Sequence, residues 1–134
     1  MNDLPVTPPS VNPTTRVFWD ATAEGRFLLQ HCEACDLVIW FPRRHCPSCW
    51  TENLAVFDAS GTGEVYSYTV IHKGANDWKD VAPYVVAYVE LAEGPRVLTN
   101  IVGCDPGDVR VGMPVRIVWQ DTGAGSALYR FTPA

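Results

Sequence analysis

The sequence predicts a mainly β protein in which an N-terminal helix and a small four-cysteine ribbon precede a five-stranded barrel. From Gly61 onward, apolar and polar residues alternate with period two in segments separated by turn-forming loops. Two C-x-x-C motifs lie within residues 32–49, in a region with few strand signals. The length of 134 residues suffices for one small domain and a minor module. We therefore assign residues 1–12 to a lead-in, 13–57 to the helix and ribbon, and 58–134 to the barrel.

The lead-in contains four prolines within the first thirteen residues and little that could be buried. This composition is typical of a disordered or extended segment, or of a linker to another domain. An ordinary chain terminus would have the same appearance. The linker interpretation predicts a module that can be detached from a longer polypeptide.

A short helix is predicted between Pro13 and Gly25. Asn12 can cap its first turn, Pro13 suits the first helical position, and Gly25 can end the helix. Phe18 and Trp19 are adjacent, so their side chains point in different directions. We expect one of them to pack on the core and the other to contact a partner. The alternative is that both are half-buried on the same domain.

The cysteine pairs have the spacing C-x2-C-x10-C-x2-C. Each C-x-x-C turn can direct two sulfur atoms at one ion, and two such turns close a tetrahedral zinc site. The sequence lacks a recognisable signal peptide or membrane-length apolar segment, so we expect a cytoplasmic chain with reduced thiols. One structural Zn2+ per chain is predicted, since so short a ribbon buries too little to fold alone. Iron in the same ligand set, two disulfides and a redox-active dithiol are the alternatives.

Between the cysteine pairs lies the segment LVIWFPRRH, which is first apolar and then basic. A four-thiolate site has no open coordination position, so we expect it to hold this loop in place and not to catalyse. Trp40 and Phe41, followed by Arg43 and Arg44, have the composition of an interface hot spot. The alternative is that the two aromatic side chains cover the junction between ribbon and barrel.

Five strands are predicted in the rest of the chain. The first, GEVYSYTVIHK, alternates between two sets of side chains, namely Val65, Ser67, Thr69, Ile71 and Tyr66, Tyr68, Val70, His72. The segments PYVVAYVEL, RVLTNIVG, PVRIVWQ and ALYRFT follow, rich in β-branched and aromatic residues. Because closure removes exposed sheet edges, this spacing favours a closed barrel of the OB type, with a small sandwich as the alternative.

The sequence offers little that could catalyse a reaction. His31 and His45 flank the cysteine pairs, and His72 ends a predicted strand. No G-x-S-x-G, P-loop or H-E-x-x-H motif is present. The net charge of −5 disfavours nucleic acid as a ligand. We expect no catalytic residue, and a CoA-dependent enzyme acting through Cys104 or His72 is the alternative.

From Phe18 to Phe131 the sequence resembles domain-of-unknown-function family 35, whose members join a rubredoxin-like zinc ribbon to an acyl-CoA-associated OB-fold. The matching segments are FWDATAEG, LLQHCEAC, FPRRHCPSC, SGTGEVYSYTVIH, APYVVAYVEL and VGMPVRIVW. The resemblance implies that the zinc ligands are Cys32, Cys35, Cys46 and Cys49.

The resemblance also implies an accessory subunit that completes a thiolase-like acyl-CoA enzyme and leaves catalysis to its partner. Family members accompany acetoacetyl-CoA thiolases, acyltransferases, and lipid-transfer-type aldolases of steroid degradation, and some are fused to hot-dog-fold enoyl-CoA hydratases. We expect a heterotetramer with an aldolase that cleaves a β-hydroxyacyl-CoA. A thiolase or acyltransferase complex, or single-stranded nucleic-acid binding, is the alternative. The candidates for contact with the partner or with CoA phosphates are Phe18, Trp19, Trp40, Phe41, Arg43, Arg44 and Lys73.

Overall fold

The computed structural model describes residues 4–134, and this part of the chain contains a single α-helix and eight strands. The mainly β class, with a helix, a four-cysteine group and a closed five-stranded barrel, is confirmed. The elements are α1 (Arg16–Thr22), β1 (Leu28–Cys32), β2 (Val38–Ile39), β3 (Leu54–Asp58), β4 (Thr62–Ile71), β5 (Tyr84–Leu91), β6 (Arg96–Ile101), β7 (Pro114–Asp121) and β8 (Ala127–Pro133).

The barrel follows the order β4-β5-β6-β8-β7 and closes through antiparallel pairing of β7 with β4. β6 and β8 run parallel where Ile101 meets Phe131. Alternate residues of β5 point inward: Val85, Ala87 and Val89 are buried, as the period-two pattern requires. All five predicted barrel strands are therefore present.

β4 departs from the predicted two-face alternation after its first half. Val65 pairs with Val89, and the next paired residue is Ser67 opposite Tyr88, so Tyr66 is the extra residue of a β-bulge. A bulge shifts the facing of all later side chains by one position. The pairing of β4 with β7 ends at Glu64, so the second half of β4 has a neighbouring strand on one side only.

The ribbon contains a three-stranded antiparallel sheet with the order β2-β1-β3. β1 lies within the segment RFLLQHCEAC, whose apolar start suggests a short strand, whereas β2 and β3 have no such signal. β2 is only two residues long, and β3 is a half-exposed segment without a clear alternation. Such short strands give too weak a periodic signal to be recognised.

The helix is shorter than the predicted span from Pro13 to Gly25. Residues 13–15 form a turn before it, in which the Asn12 side chain accepts a hydrogen bond from the Thr15 amide at 3.0 Å. The Asn12 carbonyl accepts from the Arg16 amide at 2.9 Å. Asn12 therefore caps this turn, and the α-helix itself begins at Arg16.

The lead-in predicted over residues 1–12 begins with three residues that lie outside the described part of the chain. The next two residues lie on the barrel: Leu4 is buried, and its carbonyl accepts a hydrogen bond from Gln120 Nε2. The Pro5 carbonyl accepts from Arg130 Nη2 at 3.2 Å. This part of the lead-in is thus anchored by two side chains of the barrel that donate hydrogen bonds to its backbone carbonyls. The boundary between ribbon and barrel at residue 57 stays a prediction.

One hydrophobic core joins the helix, the ribbon and the barrel. Its buried members include Phe18 of α1, Phe27 and Leu29 at β1, and Val89 and Phe131 inside the barrel. The cysteine end of the ribbon has a separate small cluster of Cys32, Ile39 and Cys46, against which Leu54 packs. Within residues 4–134, the helix lacks the length and apolar character needed to cross a membrane.

Candidate metal centre and aromatic junction

The four paired cysteines converge on one point. Their sulfur atoms all lie within 4.8 Å of one another, with 3.5 Å between Cys32 and Cys49 and 3.6 Å between Cys35 and Cys46. Tetrahedral zinc with Zn–S bonds of about 2.3 Å requires sulfur atoms about 3.8 Å apart. The same separations are too long for disulfides, whose bond is about 2.05 Å. The donor set therefore fits a closed four-thiolate zinc site, as expected of a zinc ribbon.

Two similar backbone turns present these sulfur atoms. In the first, the Cys35 amide donates to Cys32 Sγ at 3.4 Å; in the second, the Ser48 amide donates to Cys46 Sγ at 3.4 Å. Each turn ends in a residue with positive φ, Asp36 at 64° and Trp50 at 67°. The equivalent geometry follows from the identical C-x-x-C spacing.

Backbone amides also set the ionisation of Cys46. The amide groups of Cys49 and Ser48 lower the pKa of the Cys46 thiol to about 6, against the opposing effect of burial. An amide donor stabilises the thiolate, which is the form that binds a metal. Cys32 and Cys46 are fully buried, whereas Cys35 and Cys49 form the exposed side of the site.

The two histidines next to the cysteines are held by carboxylates outside the thiolate set. His31 Nδ1 lies 3.1 Å from Glu33 Oε1, and its Nε2 lies 3.3 Å from Asp36 Oδ1. His45 Nε2 lies 3.7 Å from Glu52 Oε1. Their positions are those expected of residues that neighbour a metal site.

The loop between the cysteine pairs is held by the Gln30 side chain, which pairs with both backbone groups of one residue as a neighbouring strand would. Gln30 accepts from the Arg43 amide at 2.8 Å and donates to the Arg43 carbonyl at 2.8 Å. The loop is thereby attached to β1 independently of the cysteines. This pair of hydrogen bonds to the Arg43 backbone helps to hold Trp40 over the junction between ribbon and barrel.

Trp40 lies at the centre of an aromatic cluster that we call the aromatic junction. Its ring centroid lies 4.9 Å from Phe27, 5.1 Å from Phe18 and 5.7 Å from Tyr129 of β8. Phe41 meets Trp40 edge-on at 5.0 Å and remains 38% exposed. The two rings thus lie over the junction between ribbon and barrel, and their contact with a partner stays a prediction.

Phe18 and Trp19 are both buried in this junction, at 2% and 7% exposure. Phe18 faces the ribbon, whereas Trp19 stacks against Tyr129 of the barrel at 6.4 Å. Both side chains pack on this chain because α1 is wedged between ribbon and barrel, and contact of either residue with a partner stays a prediction.

The basic candidates for contact with CoA or a partner are exposed. Arg43 and Arg44 line a surface recess together with Pro13 and Thr14, and Arg44 Nε lies 3.0 Å from Glu52. Lys73 follows β4 on the barrel and is also exposed. The structure brings the two arginines together, and their role in CoA binding stays a prediction.

The barrel carries an exposed apolar surface that the sequence analysis did not single out. This strand face consists of Tyr66, Tyr88 and Leu98, which are 46–52% exposed. Tyr88 and Leu98 are directly paired across β5 and β6, and Arg96 lies 3.8 Å above the Tyr66 ring. The sequence does carry a signal for this surface. In these strands, apolar residues occur at the outward-facing positions as well as at the inward-facing ones, whereas a face exposed to solvent would be polar.

Cys104 is the thiol outside the metal group, and its surroundings disfavour a nucleophile. It is half-buried, and burial followed by the carboxylates of Asp108 and Asp105 raises the pKa of its thiol. The thiolate is the reactive form, so a raised pKa lowers reactivity. The family resemblance implies an acyl-CoA enzyme as partner, and with such a partner bound we expect Cys104→Ala to leave steady-state turnover unchanged. A large fall in the kcat of the complex would instead indicate that Cys104 takes part in catalysis.

Comparison with known proteins agrees with both halves of this architecture. Residues 19–55 match the family model of the ChsH2 rubredoxin-like zinc ribbon domain, and residues 57–120 match that of the ChsH2 C-terminal OB-fold domain. The "Probable enoyl-CoA hydratase alpha subunit" of Thermomonospora curvata is 37% identical over 126 residues. That match covers 94% of this chain and 39% of the relative, so this chain spans about two fifths of its length.

Two further similarities extend over most of the proteins concerned. The DUF35 domain-containing scaffold protein of Methanocaldococcus jannaschii is 38% identical over 109 residues, which cover 76% of this chain and 77% of the relative. A chain of the solved Ltp2-ChsH2(DUF35) aldolase superposes with a TM-score of 0.84 at 36% identity, covering 94% of this chain and 98% of that chain. With the zinc ribbon, the barrel and these similarities in agreement, the chain belongs to the DUF35 family.

Proposed function

We propose that this chain is a non-catalytic subunit that binds and completes a thiolase-like acyl-CoA enzyme, in the first place an aldolase that cleaves a β-hydroxyacyl-CoA. The observation that carries the proposal is the 36% identity to the DUF35 chain of the Ltp2-ChsH2(DUF35) aldolase over 98% of that chain. We further propose a heterotetrameric assembly in the cytoplasm, with a steroid side chain among the acyl groups to test. A hot-dog-fold hydratase is a candidate third component.

The proposed metal site supports a structural and not a catalytic role for the bound ion. We propose Cys32, Cys35, Cys46 and Cys49 as the ligands of one Zn2+, because their sulfur atoms already have the required separation. When bound, the ion supplies a rigid cross-link between the two cysteine turns. Four thiolates fill a tetrahedral site, so no position is left for substrate or water.

Three other ionisable candidates of this chain, His31, His45 and Cys104, also have structural explanations. His31 and His45 are held by acidic neighbours, and the pKa of Cys104 is raised. A nucleophile or general base needs a partner within hydrogen-bond reach and access to a substrate. These observations support a partner that supplies the reacting groups.

The strand face is the surface that we propose contacts the thiolase-like subunit. Exposed apolar surface of this kind is typical of binding sites. Arg96, the arginine beside it, donates to Glu90 at 3.0 Å and covers the Tyr66 ring. Because this guanidinium is already engaged, the face suits an apolar protein surface better than the phosphates of single-stranded nucleic acid. Acyl-CoA would then be a ligand of the complex.

The proposal is tested by co-expression with a thiolase-like protein from the same gene neighbourhood. We expect a stoichiometric complex that splits a β-hydroxyacyl-CoA into a carbonyl compound and a shorter acyl-CoA. The isolated chain should convert neither this substrate nor a β-ketoacyl-CoA. If the complex instead catalysed thiolysis of a β-ketoacyl-CoA, the proposed role as a subunit would stand, and the proposed aldolase reaction would be wrong. Turnover by the pure chain, or tight and salt-sensitive binding of single-stranded DNA, would contradict the proposal.

Substituting Tyr88 tests the position of the interface. Tyr88→Asp introduces a charge into a surface that would be desolvated on binding, so we expect affinity for the thiolase-like subunit to fall by about tenfold or more. Val111→Asp is the matched control, because Val111 is 68% exposed on the connection between β6 and β7. Biolayer interferometry measures both variants. Equal affinities of the two variants would place the interface elsewhere.

A further inference from the structure

A cavity of about 340 Å³ opens between α1, the β4–β5 connection and the outer surface of β5, β6 and β8. Aromatic and aliphatic side chains form most of its wall, and the base includes a charged group. Its main lining residues are Trp19, Trp78, Tyr84, Leu98, Tyr129 and Arg130. The cavity is separate from the cysteine site and from the recess beside Arg43. Its volume is sufficient for one ring with a short chain.

Arg130 is a buried cation, and its hydrogen-bond acceptors within the described part of the chain are all uncharged. Only 8% of it is exposed. Its Nε donates to Gln120 Oε1 at 3.1 Å, its Nη1 to Asn100 Oδ1 at 2.9 Å, and its Nη2 to the Pro5 carbonyl at 3.2 Å. Within residues 4–134, no aspartate or glutamate lies within 4.0 Å of the guanidinium.

Among residues 4–134, this arrangement leaves both the charge of Arg130 and two of its N–H groups available to a ligand. A guanidinium has five N–H groups, and the three acceptors use one on each nitrogen, so each terminal nitrogen keeps one N–H. A buried charge without an opposite charge is unfavourable, which favours the arrival of an anion. Asn100 is itself fixed by donating to the Val85 carbonyl at 2.8 Å, so it holds Arg130 in place.

We propose that this cavity binds a carboxylate carried on an apolar or aromatic group. The carboxylate accepts charge-assisted hydrogen bonds from the two remaining N–H groups of Arg130. The apolar part lies against Trp78 and Tyr84, whose rings pack on each other at 4.7 Å. A carboxylate suits this site because it brings one negative charge to one buried guanidinium. The ligand is either an acidic side chain or terminus of a partner protein, or a small free acid.

The site is tested on the isolated, zinc-loaded chain, so the test does not depend on the proposed function. The probe is 3-phenylpropionate, and 3-phenylpropanamide is the matched ligand without the charge. Binding is followed by the indole N–H resonances of Trp19 and Trp78 in NMR titrations. We expect the acid to bind about tenfold or more tightly than the amide, as charge-assisted hydrogen bonds require. Equal binding of the two probes, or no binding of either at millimolar concentration, would overturn the proposal.

Two variants separate the contribution of the Arg130 charge to probe binding from that of the apolar cavity wall. Arg130→Gln should remove the preference for the acid, whereas Trp78→Ala should weaken both probes by a similar factor. Because Arg130→Gln also disturbs the contacts to Pro5 and Asn100, Trp78→Ala keeps the test valid if the first variant does not fold. Tyr66→Ala, outside the cavity, should bind both probes as the unaltered chain does. An Arg130→Gln chain that folds and still prefers the acid would contradict the assigned role.

Repeating the titration in a complex with the thiolase-like subunit identifies the source of the carboxylate. Exclusion of 3-phenylpropionate from the complex, together with weaker binding of the partner by Arg130→Gln, would support an acidic group of the partner as the ligand. A partner that merely covers the cavity at Leu98 would not need Arg130. Binding that persists would support a small free acid. Both outcomes require the site to exist. Failure of the complex to form would count against the proposed function and leave probe binding to the isolated chain unaffected.

Discussion

Replacing Cys46 with serine is expected to abolish zinc binding and soluble expression of the chain. Cys46 is fully buried, and its sulfur belongs to both the four-thiolate group and the small cluster that it forms with Cys32 and Ile39. That cluster is too small to stabilise the outer part of the ribbon without a metal. Structural zinc supplies on the order of 10 kcal/mol in comparable modules, so its loss should exceed what the local packing can replace. Metal content by mass spectrometry, soluble yield and far-UV circular dichroism measure the effect.

Cys104→Ser provides the matched control, because it makes the same chemical change outside the metal group. We expect the control to retain one zinc per chain and normal yield. Removal of zinc from the unaltered protein with a strong chelator should reproduce the Cys46→Ser phenotype and be reversed by added Zn2+. Normal zinc content in Cys46→Ser would refute the assignment of this ligand. Zinc loss from Cys104→Ser would show instead that cysteine substitution destabilises the whole chain.

Truncating Phe18 to alanine is expected to produce the largest loss of stability outside the metal site. Phe18 is 2% exposed, and its ring meets Trp19 at 4.9 Å, Trp40 at 5.1 Å and Phe27 at 5.2 Å. Removing a buried phenylalanine costs about 3–5 kcal/mol, because burial is lost and a cavity remains. For a chain of this size, the expected decrease in Tm is about 10–18 °C. Thermal and urea unfolding followed by tryptophan fluorescence would measure it.

Val17→Ala is the neighbouring control on the same helix. Val17 is 56% exposed, and alanine has the higher helix propensity, so this change should alter stability by about 0.5 kcal/mol or less. Both variants should keep their zinc, since the ring of Phe18 does not contact the cysteines. If Phe18→Ala were as mild as Val17→Ala, α1 would not be part of the core that the aromatic junction defines.

The barrel was predictable because its strands are long and carry regular alternation. PYVVAYVEL and ALYRFT identify β5 and β8 without knowledge of their neighbours. The cysteine site was predictable because zinc chemistry constrains both residue type and spacing. The family resemblance added the connection between the two modules, which periodicity alone does not provide.

The differences between sequence and structure have a common origin in tertiary packing. The bulge at Tyr66 is fixed by pairing with β5, and the burial of both Phe18 and Trp19 depends on two separate surfaces that enclose α1. Neither arrangement leaves a local signature. The cavity at Arg130 was not predicted for the same reason, since it combines residues from α1, the β4–β5 connection and three strands.

The position of Trp40 affects how this protein can be re-engineered. Its indole originates in the loop between the cysteine pairs and packs against Tyr129 on the last strand. A chimera that joins the ribbon of one homologue to the barrel of another would therefore place two independently evolved rings in a single shared contact. Successful grafts should require transfer of α1, this loop and the matching β8 residue together. The same contact belongs to the core that the two modules share, so we expect them to meet an associating protein as one body.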